Sequence, residues 1–146
     1  MKQATFYILN KNTLYERYLF ACRLTEKAYK QGLRVALFSD SQEVSRHIDD
    51  LLWTFRPDSF LPHDYIDKEN PNTQAASVFV IAPMYCPNES FDIAINLGQQ
   101  PGEAPFNCER HIEIAIQDPN MLKTLRSYYK NLNTQNIPID VHDLTK

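Results

Sequence analysis

The side chains able to carry covalent, metal or acid–base chemistry here are three cysteines (Cys22, Cys86, Cys108) and four histidines (His47, His63, His111, His142). Cys108-Glu109-Arg110-His111 sets a thiol near an imidazole, but residues three apart in the chain do not by themselves form a dyad, and no third orienting group is evident. Zinc needs clustered ligands, and no HxxH, HExxH or CxxC spacing occurs, so no metal site is expected. An odd number of cysteines without paired spacing points to free thiols in a reducing compartment. Cys22 lies on the apolar face of a helical pattern and reads as a core residue. Asp49-Asp50 reads as a pair of solvated charges on a helix face. A phosphate site needs glycines where a strand turns into a helix. The first such turn is Asn10-Lys11-Asn12-Thr13, and the only glycines are Gly32, Gly98 and Gly102. Neither GxGxxG nor GxxxxGK[ST] is present, so no cofactor is expected.

The elements that would position these residues follow from periodicity. Ala4 to Leu9 reads as a strand. Thr13 and Glu16 form a capping box, and Leu14, Tyr18, Ala21, Cys22, Thr25 and Ala28 trace a helix over residues 13–31 that Gly32 ends. Arg34 to Phe38 is a second strand. Ser39-Asp40-Ser41 caps a second helix with Val44, Ile48, Leu51 and Leu52 inward. Trp53 to Pro62 fits neither period, and Asp64 to Gln74 reads as a polar loop. Val78–Ala82, Ile93–Leu97 and His111–Gln117 read as strands, with a loop over Gln99–Asn107. Asp118-Pro119 opens a last helix running to about Leu132. After a turn at Asn133–Asn136, Ile137–Val141 suits an edge strand, because Pro138 bars a central position. The alternation of strand and helix predicts a parallel sheet with right-handed crossovers.

Composition narrows the classes. The 146 residues, 43% hydrophobic and 23% charged, suit one soluble domain over residues 1–146. A net charge of −3 disfavours a global nucleic-acid footprint, though not a local basic patch. No apolar run is long enough for a signal peptide or a membrane span, so a cytoplasmic protein is expected.

Two constellations look like binding surfaces. Trp53, Phe55 and Phe60 crowd a proline-broken segment, and aromatics are enriched at protein–protein hot spots; the same residues could equally complete the core. On the last helix, Leu122, Leu125, Tyr128, Tyr129 and Leu132 share one broad face, and Lys123, Arg126 and Lys130 form an adjoining basic stripe with Tyr129 at the border. Such a stripe suits an acidic peptide with an apolar anchor; a solvated helix face is the plainer alternative.

Taken whole, the sequence resembles the chi subunit family of bacterial DNA polymerase III holoenzyme. The resemblance rests on the opening Met1-Lys2-x-Ala4-Thr5-Phe6-Tyr7-x-Leu9, on Gly32-Leu33-Arg34-Val35, and on Leu52-Trp53 followed by Ser59-Phe60-Leu61-Pro62-His63. Arg126-x-x-Tyr129-Lys130 completes it. The Trp-x(6)-Phe-x-Pro-His spacing is the specific element; the helix motif alone would be weak. The resemblance implies a three-layer α/β/α, Rossmann-like fold with a mainly parallel sheet and no nucleotide-binding loop. It also implies two partners: the psi subunit, which links chi to the clamp loader, and the acidic, Phe-terminated tail of single-stranded DNA-binding protein. Carried over residue by residue, the psi-facing surface would include Trp53, Phe60, Leu61 and Pro62, and the tail pocket Arg126, Tyr129 and Lys130. Lys123 resembles a basic residue at the start of that helix, one position out of register. Asp64 to Asn107 departs most from the family, and no role is carried over from it.

The expected function is therefore a non-catalytic adaptor in DNA replication that meets DNA only indirectly. Alternatives are an adaptor that pairs with a repair helicase through the psi surface, a small nucleotide- or thiol-dependent enzyme, and a direct single-stranded DNA binder. Two tyrosines and three cations on one helix are thin for a stacking platform.

Overall fold

A computed structural model of the chain describes residues 1–146 except Ser59, Gln74 and Ala75. Ser59, at the head of the Ser59–His63 motif, and Gln74, at the end of the expected polar loop, thus lie outside the described residues. Strand β1 (Gln3–Ile8) leads into helix α1 (Leu14–Lys30), strand β2 (Val35–Phe38) and helix α2 (Gln42–Thr54). Strands β3 (Asp64–Ile66), β4 (Val78–Ile81), β5 (Ser90–Asn96) and β6 (Asn107–Ala115) follow. Helix α3 (Pro119–Thr134) and strand β7 (Ile139–Asp143) end the chain. The strands form one seven-stranded sheet in the order β3-β4-β2-β5-β6-β1-β7, and each adjacent pair is parallel.

The helix starts are locally specified. The Thr13 hydroxyl accepts from the Glu16 N–H at 3.3 Å, and Ser41 from Val44 N–H at 3.3 Å. The Asp118 carboxylate accepts from Asn120 and Met121 N–H at 2.9 and 3.2 Å, with Pro119 in the first turn, where its missing N–H costs nothing. Gly32, at φ +78°, ends α1 in a conformation that L side chains disfavour.

Both sheet faces are covered, which explains the unbroken apolar run of β4, all four of whose residues are buried. Helices α1 and α2 cover one face, packing Ala21, Cys22, Ile48 and Leu52 onto Val35, Leu37, Val80, Ile95 and Ile114. On the other face α3 packs Leu125 and Leu132 onto Ala4, Phe6 and Ala115. Beyond α3 that face is closed by the β5–β6 connection, which brings Ala104 and Phe106 onto Phe79, Phe91 and Ala94. Side chains as fully buried as Phe79 each contribute about 1.5–3 kcal/mol relative to exposure.

Several boundaries differ from the sequence expectation. The segment read as a polar loop from Asp64 opens with β3, a three-residue edge strand paired with β4. So short a strand has no alternation to reveal it. β5 and β6 begin at Ser90 and Asn107, earlier than their apolar runs. At the head of β5, Asp92 and Ile93 N–H both reach the Arg34 carbonyl, at 2.9 and 3.1 Å. That bulge moves Phe91 out of alternation with Ile93 and Ile95. β7 is the expected edge strand, set two residues later, so that Pro138 precedes it and supplies only a carbonyl to Ala4 N–H at 3.0 Å.

Candidate partner-binding surfaces

The N-termini of all three helices open on a cleft of about 780 Å³ at the carboxyl ends of the strands, where nucleotides sit in related architectures. Here the place is differently furnished. Thr13, Ser41 and Asp118 already occupy first-turn N–H groups. Arg17, 3% exposed, spends its guanidinium on the strand ends. It donates to the Ile114 carbonyl at 2.7 Å, to Leu97 and Gly98 at 3.2 and 3.0 Å, and to Asn96 at 3.4 Å. Asp40, Glu43 and Asp118 line the same cleft. Arg17 is thus spent and carboxylates line the cleft, so a phosphate would meet repulsion. Sequence reasoning missed Arg17, because nothing near it in the chain marks a cation that pairs with residues 96–98 and 114.

Two of the three thiols are buried. Cys22 is fully buried, and burial pushes its thiol up to about 12. Burial raises Cys108 as well; Cys86 is exposed. His111 does not face a thiol for activation: its Nε2 lies 2.6 Å from a buried Glu113 carboxylate oxygen that also accepts from Asn96 and Gly102. Among the described residues no group of three His, Cys, Asp or Glu could hold a metal ion.

The first surface is aromatic. Trp53, expected in an irregular segment, belongs to the last turn of α2, off the buried face that carries Ile48 and Leu52, and is 46% exposed. Phe60 is 75% exposed, and its ring lies 5.7 Å from the indole, centroid to centroid. Pro62 is half-buried beside them. Leu61 requires a correction: at 1% exposure it points into the core beneath α1 and α2 and offers no side chain to a partner. Successive residues of an extended segment face opposite ways, so an outward Phe60 forces Leu61 inward. Phe55 packs partly against the same core. Asp49 is also corrected. It is not a solvated charge but lies half-buried, with a carboxylate oxygen 3.1 Å from Nε2 of the buried His63; Asp50 is the exposed one. His63 stood in the motif with no role assigned, and the signal that could have found its partner is that Asp49 sits one helical turn before Trp53.

The second surface is basic. On α3, Leu125 and Leu132 are buried, while Lys123, Arg126 and Lys130 are exposed along one stripe. None of the three makes an ion pair among the described residues. Tyr129 is 38% exposed at the border and rests edge-on against buried Phe6, 6.1 Å between centroids. The structure thus brings Arg126, Tyr129, Lys130 and Lys123 together on one face. It places the aromatic patch elsewhere: α2 packs on β4, α3 on β6 and β7, from the opposite layer. Three or more strand steps of about 4.8 Å separate them across the sheet.

No helix of the described residues is long and apolar enough to cross a membrane. The family profile "DNA polymerase III chi subunit, HolC" matches residues 1–140. The chain is 28% identical to DNA polymerase III subunit chi of Pseudomonas aeruginosa over 147 aligned positions, covering 100% of this chain and 99% of that protein. It is 27% identical to the Haemophilus influenzae subunit chi, covering 92% of each. Against the Escherichia coli subunit chi it is 24% identical, covering 92% of this chain and 97% of that one. A match over nearly the whole of each sequence, on a fold with its two exposed surfaces at separate places, leads to one assignment: the chain belongs to the chi subunit family of DNA polymerase III.

Proposed function

We propose that this chi-family chain is a non-catalytic adaptor of the cytoplasmic clamp-loader complex. One surface docks the psi subunit, and the other captures the C-terminal tail of single-stranded DNA-binding protein. The observation that carries the reading is the pair of separate exposed surfaces, one aromatic at Trp53 and Phe60, one basic at Arg126 and Lys130. Trp53 and Phe60 together expose an aromatic patch of the kind that marks interaction sites, and three cations with no ion-pair partner among the described residues favour an acidic ligand.

In this reading Trp53, Phe60 and Pro62 face psi, with Leu61 supporting them from the core. Arg126 and Lys130 meet the carboxylates of the tail, Lys123 extends the stripe, and Tyr129 walls a site for the terminal Phe. Because the surfaces lie in different layers, both partners can be held at once. Two modest contacts linked in one assembly raise the effective concentration of polymerase at coated lagging-strand DNA. The chain then needs no groove of its own for DNA.

The test is a pulldown with two baits: purified psi, and a tail peptide of single-stranded DNA-binding protein with and without its final Phe. Retention on psi and on the complete tail, with loss on the shortened tail, is expected. Failure to bind the complete tail overturns the tail assignment, and failure to bind psi overturns the other.

A further inference from the structure

His63 is buried, and each of its ring nitrogens faces an acceptor. Nδ1 lies 2.9 Å from the Leu61 carbonyl oxygen, and Nε2 lies 2.9 Å from the Asp49 carbonyl oxygen. Nε2 is also 3.1 Å from an Asp49 carboxylate oxygen. A neutral imidazole has one N–H, so one nitrogen would turn a lone pair toward an oxygen lone pair. The imidazolium donates at both. Burial opposes that charge, but hydrogen bonds to the Asp49 carboxylate and to the Leu61 and Asp49 carbonyls outweigh it, and His63 holds its proton above the ordinary 6.5. Asp49, from α2, is the carboxylate at the ring. Arg46, a turn earlier on α2, is engaged with Tyr65 of β3, its guanidinium 3.8 Å from that ring.

The same ring meets Trp53 directly and, on its other side, the backbone next to Phe60. Asp49 and Trp53 are one turn apart on α2, and the Trp53 indole lies against His63, tilted by 41°, with centroids 4.2 Å apart. On the other side the Leu61 carbonyl, adjacent to Phe60, is the second acceptor. One side chain therefore ties the segment carrying Phe60 to the helix carrying Trp53.

We propose that His63 is the positioning residue of the docking patch, a clasp that fastens Phe60 beside Trp53 so that a partner meets a preformed aromatic pair. The clasp rests on the reading of that patch as the psi-facing surface. Buried as it is, His63 does not touch the partner. It acts by removing the ordering cost that a loose 60–63 segment would add to docking.

Trp53 is the chain's single tryptophan, and an imidazolium in close contact with an indole quenches its emission. In a fluorescence titration the wild-type emission is expected to rise as pH rises, with a midpoint above 6.5. His63→Gln should abolish that transition, and Asp49→Asn should lower its midpoint. Emission that does not titrate, or that titrates equally in His63→Gln, overturns the clasp. In calorimetry against purified psi, His63→Gln should bind about tenfold more weakly or worse, and wild-type affinity should fall through the fluorescence midpoint. Affinity for the tail peptide should stay unchanged, which reports an intact fold. Equal psi affinity in wild type and His63→Gln overturns the clasp and leaves the surface assignment standing. A wild-type chain that does not bind psi overturns the surface assignment, and the fluorescence titration then decides for or against the clasp.

Discussion

Nε of Arg17 donates to the carbonyl of Ile114 at 2.7 Å, across the ends of α1 and β6. With its other nitrogens on the carbonyls of residues 96–98, this cation fastens β5 to β6 and to the first turn of α1. Arg17→Met keeps the bulk but strands those buried acceptors. It should cost about 3 kcal/mol or more, because hydrogen bonds from a charged donor are worth more than neutral ones and their partners are left unsatisfied. Urea denaturation checks this; a loss within about 0.5 kcal/mol, the range of a neutral surface change, would contradict the bracing role.

Phe60 and Leu61 should separate cleanly. Phe60→Ala removes a largely exposed ring and should leave stability within about 0.5 kcal/mol while abolishing co-purification with psi. Leu61→Ala empties a core position and should cost about 2–5 kcal/mol. Thermal melts and psi pulldowns on both variants give the comparison; a Phe60→Ala protein that melts well below wild type would mark Phe60 as structural.

Arg126→Ala should weaken the tail peptide at least about tenfold, since a charged hydrogen bond to a carboxylate is lost, and leave psi binding intact. The remaining affinity should fall with added salt, as exposed charges are screened within about 8–10 Å at physiological ionic strength. Isothermal titration at two salt concentrations reads both effects. Peptide affinity indifferent to both substitution and salt would remove the stripe from the tail site.

Stability should also depend on pH through His63. Its folded pKa is raised, so the protonated form is favoured by folding. The associated stabilisation is complete below about 6.5, the unfolded value, and is lost as pH rises through the folded value. Melts should therefore fall on the alkaline side of 6.5 in wild type and flatten there in His63→Gln.

The thiols should react in a definite order. Cys86 is exposed and should be labelled by a disulfide reagent in the native protein. Cys22, with its thiol pushed up to about 12, and buried Cys108 should react only on unfolding. Native labelling of Cys22 would show that α1 opens readily from the sheet.

Much of the architecture was legible in the sequence because it is encoded within a few residues. Thr13, Ser41 and Asp118 each cap a helix through groups two or three positions away. The unbroken apolar run of β4 announces a sheet covered on both faces. The family was legible for a similar reason: the spacing of Trp53, Phe60, Pro62 and His63 can be read along the chain without reference to the fold. Arg126, Lys130 and Tyr129 could be placed on one stripe by helical geometry alone. Tertiary structure decided what depends on contacts between distant residues. β3 exists because β4 pairs with it. Phe60 faces out and Leu61 in because the core beneath α1 and α2 has room for the leucine. Asp49 is a partner and not a solvated charge because His63, 14 positions along the chain, returns to it. Arg17 braces strand ends 79 to 97 residues away. Periodicity and spacing report on neighbours along the chain. Burial and charge pairing depend on which surfaces the fold brings together, and only the assembled sheet with its two layers fixes those.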